Sequence, residues 1–527
     1  MTPQTVADLL EPLTEVDSSG IWFEGEFVSW RAHLAQARHW ATALRAELDP
    51  DRPPHVAVLL DNVVEFSVLL CAAAVDGLVL VGLNTTRRGA ALARDIATAD
   101  CGVVLTSPET AHLLDDSEIG SETTVIDITS SDWAARLRAA ATRPARPRPR
   151  PEITPEQLMM LIFTSGTSGE PKAVCCDHRK FAAAGAMLAQ RFGLDDTDVV
   201  YLSMPMFHSN AIIAGWSVAV AAGASMALRR TFSARGFLTD VRRYGVTYAN
   251  YVGKPLSYVL ATPGEPDDAD TTLRIVYGNE ASAHDIVAFA QRFGVTVVDG
   301  FGSTEGGVAI TRTPDTPPEA LGPLVQPNAV IDPETGERCP TAIFDADGSL
   351  VNASAAIGEI VNSAGAGLFT GYYRNPDAEA ERMRGGRYHT GDLGYVDAAG
   401  YVYFAGRLGD WVRVDGENLA TGPIERILLR HDEIRLAAVY GIGADVGDEI
   451  VASVVGDVGA DDLTGFLAAQ TDLGPKQWPA HVCLVEELPR TATFKVLKRE
   501  LAGKALVPTF SLDRATRTYR PARQLGT

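Results

Sequence analysis

Hydroxyl side chains, glycines and a lysine are concentrated in the loop 164–172, which follows the apolar segment 159–163. An apolar segment of this kind is typical of a buried strand. The loop supplies hydroxyl donors and permissive backbone from Thr164, Ser165, Gly166, Thr167, Ser168 and Gly169. Glycine lets backbone N–H groups approach an anion closely, and Lys172 adds a positive charge. The loop is therefore predicted to bind the phosphates of a nucleotide, although the same residues also fit an ordinary polar turn.

A second polar turn, residues 299–307, follows the β-branched pair 297–298. In parallel α/β sheets, ligands bind at the carboxyl ends of the strands. Phe301 is suited to stack on a purine, Thr304 to donate to a phosphate, and Glu305 to hold Mg²⁺ between phosphate oxygens. The alternative is a tight turn whose carboxylate caps the following helix.

Two further candidate segments lie towards the end of the sequence. Asp392 is flanked by glycines in the segment 388–394, and a carboxylate in such a loop is suited to accept both hydroxyls of a ribose. Arg407 follows a predicted strand and is suited to reach a phosphate or a ribose. Lys495 stands in the polar loop 489–498. Taken one at a time, these residues also fit solvated hairpins and loops.

The composition indicates a globular protein with more than one domain. With 527 residues, the chain exceeds what a single hydrophobic core usually organises. Its 46 basic and 67 acidic residues give a net charge of −21, which argues against nucleic-acid binding. The six cysteines lack metal-type spacing and no signal peptide is apparent, so we expect reduced thiols and a cytoplasmic location. The apolar segments 67–82 and 211–228 are predicted to be buried helix–strand pairs instead of membrane spans.

Strand and helix patterns alternate along the chain, which predicts an α/β fold with a parallel sheet covered by helices. The predicted strands are 55–60, 78–81, 102–105, 199–202, 248–252 and 273–277. The predicted helices are 62–75, one that begins near 90, and 283–293. The Pro/Arg-rich segment 143–151 is predicted to be an extended connection, with an SH3-type ligand as the alternative. A hairpin turn is favoured over a calcium loop at 345–348.

Together, and in this order, the polar segments resemble the adenylate-forming superfamily of acyl-CoA synthetases, firefly luciferase and peptide-synthetase adenylation domains. The similar segments are the phosphate loop TSGTTGxPK at 164–172, the G-x-T-E motif at 302–305, the TGD motif at 390–392, the hinge motif at 406–407, the catalytic lysine loop at 493–495, and the shorter signatures at 205–208 and 371–376. The resemblance spans roughly residues 25 to 505 and so covers nearly the whole chain.

The resemblance implies a large N-terminal domain, residues 1–408, built of parallel-sheet αβα subdomains and a small β-barrel-like subdomain. A small, mobile α+β C-terminal domain, residues 409–527, would follow.

The implied ligands are ATP, Mg²⁺, CoA and a carboxylic acid. The implied binding residues are Thr164 and Glu305 for the metal, the loop 164–172 with Gly302, Ser303 and Thr304 for the phosphates, Gly278, Asn279, Glu280 and Phe301 for adenine, and Asp392 and Arg407 for ribose. Lys495 would bridge the carboxylate and the α-phosphate. His208 would gate the acyl pocket, with a structural histidine packed by Phe207 as the alternative.

Local variations resemble the fatty acid transport protein branch, which contains very-long-chain acyl-CoA synthetases and bacterial ligases for fatty acids or steroid side-chain carboxylates. These variations are Phe494 in TFKxxK, Gly409 in the hinge, Gly416-Glu417-Asn418 after it, and Gly278-Asn279 in the adenine loop. Animal members carry an N-terminal membrane segment that is not apparent here, so we do not expect membrane transport. Peripheral membrane contact and the oligomeric state are left open. Small residues within 207–216, 248–253 and 302–310 predict a roomy apolar pocket, which favours a long-chain or polycyclic acid.

The resemblance predicts an AMP-forming acyl-CoA ligase, and three other functions fit the same motifs. An acyl-AMP ligase that loads a carrier protein makes the same adenylate, and so does a luciferase-like oxygenase. A non-catalytic lipid-binding or transport protein on this fold is the alternative of a different class. Lys172, Glu305, Asp392 and Lys495 are all present, which favours an enzyme over the non-catalytic protein.

Overall fold

The computed structural model describes residues 3–115, 118–142, 152–165, 171–345, 350–408, 411–414, 417–444, 448–470, 473–490 and 496–522. Contacts divide the chain into two compact units, Met1–Ala309 with Leu368–Glu381, and Ile310–Gly367 with Arg382–Thr527. We call them the first unit and the second unit.

Two sheets form the frame of the first unit. Their strands are β1 (Gly20–Phe23), β2 (Glu26–Ser29), β3 (His55–Val58), β4 (Val79–Gly82), β5 (Val103–Thr106), β6 (Thr124–Asp127), β7 (Leu158–Ser165), β8 (Pro171–Asp177), β9 (Val199–Leu202), β10 (Ser225–Leu228), β11 (Tyr248–Val252), β12 (Ile275–Asn279), β13 (Thr296–Gly302) and β14 (Ala309–Thr311). One sheet has the order β14-β13-β12-β11-β9-β10-β1-β2, and the other has the order β6-β5-β3-β4-β7-β8. In the six-stranded sheet, every pair is parallel except β7–β8. Strands β3, β4 and β5 are buried over their whole length, as expected of parallel strands that are covered on both faces.

The helices up to residue 293 are α1 (Val6–Leu10), α2 (Trp30–Glu47), α3 (Val64–Asp76), α4 (Gly89–Thr98), α5 (Pro108–Ala111), α6 (Ser131–Thr142), α7 (His178–Phe192), α8 (Ser209–Ala211), α9 (Ser217–Ala222), α10 (Phe237–Tyr244), α11 (Pro255–Leu260) and α12 (Ala283–Phe293). Helix α7 begins where the Asp177 carboxylate accepts the Lys180 backbone N–H, and it ends at Gly193 in the left-handed region. Strand β8 therefore connects the predicted phosphate loop to the first turn of α7.

The second unit contains β15 (Gly322–Pro323), β16 (Asn328–Ile331), β17 (Gly358–Asn362), β18 (Met383–Arg384), β19 (Arg387–Val396), β20 (Tyr401–Arg407), β21 (Trp411–Val414), β22 (Glu417–Ala420), β23 (Ile434–Gly443), β24 (Asp448–Gly456), β25 (His481–Leu484), β26 (Phe510–Asp513) and β27 (Thr518–Pro521). The remaining helices of the chain are α13 (Ala353–Ala356), α14 (Pro376–Arg382), α15 (Thr421–Leu428), α16 (Ala460–Ala468) and α17 (Lys498–Ala502). One sheet of this unit has the order β15-β20-β19-β17-β16, and another has the order β23-β24-β25-β26-β27. The first of these sheets is antiparallel throughout, whereas the second contains one parallel pair, β24–β25.

The alternation of strands and helices predicted from the sequence is confirmed, and so is the α/β class. The elements Val199–Leu202, Tyr248–Val252 and Ala283–Phe293 have the predicted bounds, and the other predicted elements shift by one or two residues. The segment 211–228 is a helix followed by a strand, with a π-helical turn at Ile212–Trp216 that the apolar pattern did not indicate. The predicted connection at 143–151 and the turn residues 346–348 lie outside the described residues. The domain boundary after residue 408 and the mobility of the C-terminal domain stay predictions.

Within the described ranges, no helix combines the length and the apolar character that a membrane crossing requires.

Candidate active site

The predicted phosphate loop closes an antiparallel hairpin. Strands β7 and β8 pair with Thr164 opposite Lys172 and Ser165 opposite Pro171. The two ends of the loop are therefore neighbours in the sheet. The predicted residues Gly166, Thr167, Ser168 and Gly169 lie outside the described residues.

Lys172 is largely buried near the start of β8. Only 8% of its surface is exposed, and its Nζ lies 3.2 Å from Glu381 Oε2. The same Nζ lies 5.5 Å from the centre of the Tyr372 ring. The Glu381 side chain is 68% exposed, and ion pairs with exposed partners contribute little to stability. The Lys172 ammonium can therefore exchange Glu381 for a phosphate at small cost.

Thr304 and Glu305 follow strand β13 in a tight turn. The Gly306 N–H donates to the Ser303 carbonyl at 3.1 Å, and Gly306 has a φ of 74°, which favours glycine. Thr304 and Glu305 are only 7% and 6% exposed. The Thr304 hydroxyl lies 2.7 Å from the Ser209 hydroxyl. Both predicted side chains are thus held at the carboxyl end of a parallel strand, where α/β sheets bind ligands.

Tyr372 connects these two groups of residues. Its hydroxyl donates to Glu305 Oε1 at 2.8 Å, while its ring lies beside the Lys172 ammonium. The backbone of Tyr372 forms a bridge with Val174 of β8. The structure therefore brings Lys172 and Glu305 together through a tyrosine to which the sequence assigned no role. Ser209 was missed in the same way, because each of these contacts joins distant parts of the chain.

The predicted adenine loop is built on a close approach of two backbones. A Cβ atom at Gly278 would lie 2.2 Å from the Tyr251 carbonyl oxygen, so this position requires glycine. The Asn279 amide donates to the Gly300 carbonyl at 2.5 Å. Asp299 accepts the Tyr251 hydroxyl at 2.6 Å. These bonds tie the ends of β11, β12 and β13 together, so the adenine-loop residues are held in one place.

The other residues predicted around adenine and the phosphates are more accessible. Glu280 is exposed and has a φ of 67°, a conformation that few residues other than glycine adopt. Phe301 is half-buried, and Gly302 and Ser303 are exposed. A half-buried ring and an open backbone leave room for a nucleotide to contact this turn.

His208 caps a short helix. Its Nδ1 accepts the Asn210 backbone N–H at 3.3 Å, and the π-helical turn Ile212–Trp216 follows. Such turns occur frequently at functional sites. Gly215 in this turn packs so closely that an added Cβ would lie 2.9 Å from Leu202 Cδ1. The small residues near His208 are thus in contact with their neighbours, and the roomy acyl cavity stays a prediction.

The predicted ribose residues pair with each other in the second unit. Asp392 lies opposite Arg407 in the β19–β20 ladder, and Arg407 Nε lies 3.1 Å from Asp392 Oδ1. The Thr390 hydroxyl accepts the Asp392 backbone N–H at 3.0 Å and donates to the Ile360 carbonyl at 2.6 Å. The carboxylate is therefore oriented from both its side chain and its backbone.

The segment 388–394, predicted to be a loop, is part of strand β19, and a buried carboxylate is bonded to it. Glu359 is fully buried, and its Oε1 accepts the Gly391 N–H at 2.8 Å. Its Oε2 lies 2.7 Å from His389 Nδ1 and 3.1 Å from an Arg384 nitrogen. Glu359 thus holds the part of β19 that contains Asp392. This role could not be predicted, because in the sequence Glu359 looks like an ordinary polar position.

The predicted catalytic lysine, Lys495, lies outside the described residues, as do Phe494 and the hinge residue Gly409. The next lysine of the same motif, Lys498, is described. Its Nζ lies 2.8 Å from Glu425 Oε1 and 3.1 Å from the Thr421 hydroxyl, both on helix α15. Helix α15 therefore anchors the residue that follows the predicted catalytic loop.

Models of known protein families match most of the chain. The model of the AMP-binding enzyme family matches residues 14–373, and the model of the AMP-binding enzyme C-terminal domain matches residues 423–495. The chain belongs to the AMP-binding enzyme family. The predicted resemblance to the adenylate-forming superfamily is thereby confirmed. In this AMP-binding enzyme, Lys172, Glu305 and Tyr372 fall within the first match, and Lys495 is the last residue of the second.

Individual relatives cover nearly the whole chain. The medium/long-chain-fatty-acid–CoA ligase FadD17 of Mycobacterium marinum is 56% identical over 95% of this chain and 96% of its own length. The steroid-22-oyl-CoA synthetase of Rhodococcus jostii is 43% identical over 87% of this chain and 84% of its own length. The solved structure of ATP-bound MatB from Rhodopseudomonas palustris has a TM-score of 0.80 at 25% identity and covers 95% of this chain and 98% of that one. The large N-terminal and small C-terminal domains of adenylate-forming enzymes are thus the fold of this chain.

Proposed function

We propose that this protein is an AMP-forming acyl-CoA ligase that activates a hydrophobic carboxylic acid with ATP and transfers the acyl group to CoA. The observation that carries the proposal is the connected set formed by Lys172, Tyr372, Glu305, Thr304 and Ser209. The cation lies near the start of β8, directly after the phosphate-loop motif, and the carboxylate and the hydroxyl follow the end of β13. A site that binds a nucleoside triphosphate needs these three kinds of group.

The reaction has two steps. In the first, a carboxylate oxygen attacks the α-phosphorus of ATP, the bond to the β-phosphate breaks, and acyl-adenylate and pyrophosphate form. In the second, the thiol of CoA attacks the acyl carbon, loses its proton, and displaces AMP. Catalysis of phosphoryl transfer depends on positioning and on neutralising charge, for which fixed donors and cations suffice.

The phosphate and metal roles follow the chemistry of the side chains. Lys172, with the loop 164–172, binds the β- and γ-phosphates, and Thr304 donates to the α-phosphate. Glu305 and Thr164 would hold Mg²⁺, and the bound ion would supply positive charge to the phosphate oxygens. Mg²⁺ is commonly held by one or two carboxylates together with substrate phosphates. The buried Glu305 carboxylate fits this pattern, and the described residues contain no cluster of three or more acidic, histidine or cysteine ligands that would hold a metal without a nucleotide.

The remaining roles rest on the family motifs. Gly278, Asn279, Glu280 and Phe301 frame the adenine. Asp392 accepts both ribose hydroxyls while Arg407 holds its carboxylate. Lys495 bridges the attacking carboxylate and the α-phosphate, where negative charge develops. His208 borders the entrance of the acyl group.

A medium- or long-chain fatty acid is the favoured substrate. The relatives named as ligases for such acids are 55–56% identical over 95–96% of this chain, whereas the relative named as a steroid-22-oyl-CoA synthetase is 43% identical. A steroid side-chain acid is therefore the second candidate. CoA is the acceptor in the names of both kinds of relative.

The test is AMP formation from ATP with and without CoA, over a panel of fatty, aryl and steroid acids. We expect AMP and an acyl-CoA in equal amounts, and the highest kcat/KM for a fatty acid. The best activity with a steroid acid would select the second candidate. Acid-dependent AMP formation that ignores CoA and requires a phosphopantetheine carrier protein would indicate a carrier-loading ligase. No AMP with any acid would leave the non-catalytic lipid-binding protein.

A further inference from the structure

Lys180, in the first turn of α7, is a buried cation that binds backbone carbonyls. It is 1% exposed. Its Nζ lies 3.2 Å from the Thr304 carbonyl oxygen and 3.1 Å from that of Glu305. A third carbonyl oxygen, that of Cys175, lies at 3.3 Å. In the part of the chain that the structure describes, no carboxylate oxygen lies within 4.0 Å of the Lys180 Nζ. The ammonium therefore donates to three peptide oxygens, and its removal would deprive the buried Thr304 and Glu305 carbonyls of this donor.

Two of the three carbonyls belong to the consecutive residues Thr304 and Glu305, which are proposed to bind the α-phosphate and Mg²⁺. In a planar trans peptide, the N–H points away from the carbonyl of the same unit. Because both carbonyls face Lys180, the N–H groups of Glu305 and Gly306 face the other way. The ammonium thus sets the orientation of two successive peptide planes in the motif.

Lys180 also contacts strand β8, which is in turn bonded to the segment before Tyr372. Cys175, whose carbonyl it binds, lies in β8, the strand that contains Lys172. The same carbonyl accepts the Thr370 hydroxyl at 2.7 Å. The Cys175 N–H donates to the Gly371 carbonyl at 3.0 Å, directly before Tyr372. The ammonium therefore joins the strand of Lys172 to the turn of Thr304 and Glu305, and Cys175 bonds the same strand to the segment before Tyr372.

Burial of an ammonium is expensive, and an apolar side chain of similar length would fill the same space without that cost. We propose that Lys180 is a positioning residue for the adenylation half-reaction. Its ammonium fixes the backbone of Thr304 and Glu305 and so places the phosphate-binding hydroxyl and the metal-binding carboxylate. This inference rests on the proposed function of those two residues.

The experiment compares Lys180→Met, Lys180→Arg and the exposed-lysine control Lys504→Met, with Glu305→Gln as the reference for the proposed metal site. Acid-dependent exchange of pyrophosphate into ATP is measured as a function of Mg²⁺ and ATP. Thioester formation from supplied acyl-adenylate is measured separately, and the folded fraction is followed by thermal unfolding. Loss of a group that orients a metal ligand typically lowers metal affinity or activity by about 10- to 100-fold.

We expect K180M to lower the exchange rate by about 10- to 100-fold and to raise the Mg²⁺ concentration at half-maximal rate. Thioester formation from supplied adenylate, which needs no metal-bound triphosphate, should fall much less. K180R keeps the charge and should recover part of the exchange rate, whereas K504M should behave as wild type.

The positioning role is wrong if folded K180M keeps the wild-type rate and Mg²⁺ dependence while E305Q loses exchange. It is also wrong if the rates of both half-reactions fall equally in K180M, in proportion to the loss of folded protein. If K180M does not fold, Lys180→Gln, which keeps a donor but not the charge, is judged by the same two measurements. If E305Q leaves exchange unchanged, the proposed function of Glu305 fails, and the inference about Lys180 fails with it.

Discussion

Removal of the Tyr372 hydroxyl tests the connection between the phosphate-binding cation and the metal-binding carboxylate. In Tyr372→Phe, the ring beside Lys172 stays, and the 2.8 Å hydrogen bond to Glu305 is lost. A hydrogen bond to a charged group contributes about 1.5–3 kcal/mol. Since about 1.4 kcal/mol corresponds to a factor of ten in rate, adenylation should slow by about 10- to 150-fold if the whole bond serves to orient the carboxylate.

The assay is acid-dependent exchange of pyrophosphate into ATP, measured over a range of Mg²⁺ concentrations. Y372F should lower the rate at saturating ATP and raise the Mg²⁺ concentration that gives half the maximal rate. The matched control is Tyr373→Phe, because the ring of the neighbouring Tyr373 packs against His55 and its hydroxyl makes no hydrogen bond to the described residues. A rate for Y372F within twofold of wild type, with unchanged Mg²⁺ dependence, would refute the reasoning.

Three further predictions concern the half-reactions and the pH dependence of stability. Lys495→Ala should abolish pyrophosphate exchange but still convert supplied acyl-adenylate to acyl-CoA, and exchange that survives the change contradicts the role of the lysine. Gly409→Pro should leave adenylation nearly intact and block thioester formation, because proline fixes the backbone of the hinge; an equal loss of both half-reactions contradicts the hinge role. Burial lowers the pKa of His33 and His178 to about 4, below the usual value of about 6.5. The unfolded chain therefore binds more protons, and stability present above pH 6.5 is lost as the pH falls towards 4, by about 2 kcal/mol per histidine at pH 5. Chemical denaturation between pH 7.5 and 5 measures this loss of unfolding free energy, and His178→Phe should remove about half of it. If the unfolding free energy of His178→Phe depends on pH as steeply as that of the wild type, this burial effect is absent.

The parts of the candidate site that could be predicted from the sequence are those that depend on local pattern. A strand that runs into glycines and hydroxyls is recognisable from neighbouring residues alone, which is why the segments around Lys172 and Glu305 could be found. The pairing of Asp392 with Arg407 also follows from two strands joined by a short turn, since their positions in the β19–β20 ladder are nearly fixed by the turn.

The residues that position this site could not be predicted in the same way. Tyr372 reaches Glu305 across 67 positions, and Lys180 reaches Thr304 across 124. In the sequence, Lys180 is one polar residue in an amphipathic helix and Glu359 is one polar residue in a strand. Their burial and their partners depend on how distant elements pack, and no local pattern contains that information.

The central claim is that a carboxylate oxygen attacks the α-phosphorus of ATP, and oxygen tracing tests it most directly. A fatty acid labelled with ¹⁸O in its carboxylate is converted with ATP and CoA, and the AMP and inorganic phosphate are analysed by mass spectrometry. Each AMP should carry one ¹⁸O from the acid, because the attacking oxygen stays on phosphorus when the thiol displaces AMP. Label in inorganic phosphate, or acyl-CoA formed with unlabelled AMP, would contradict it.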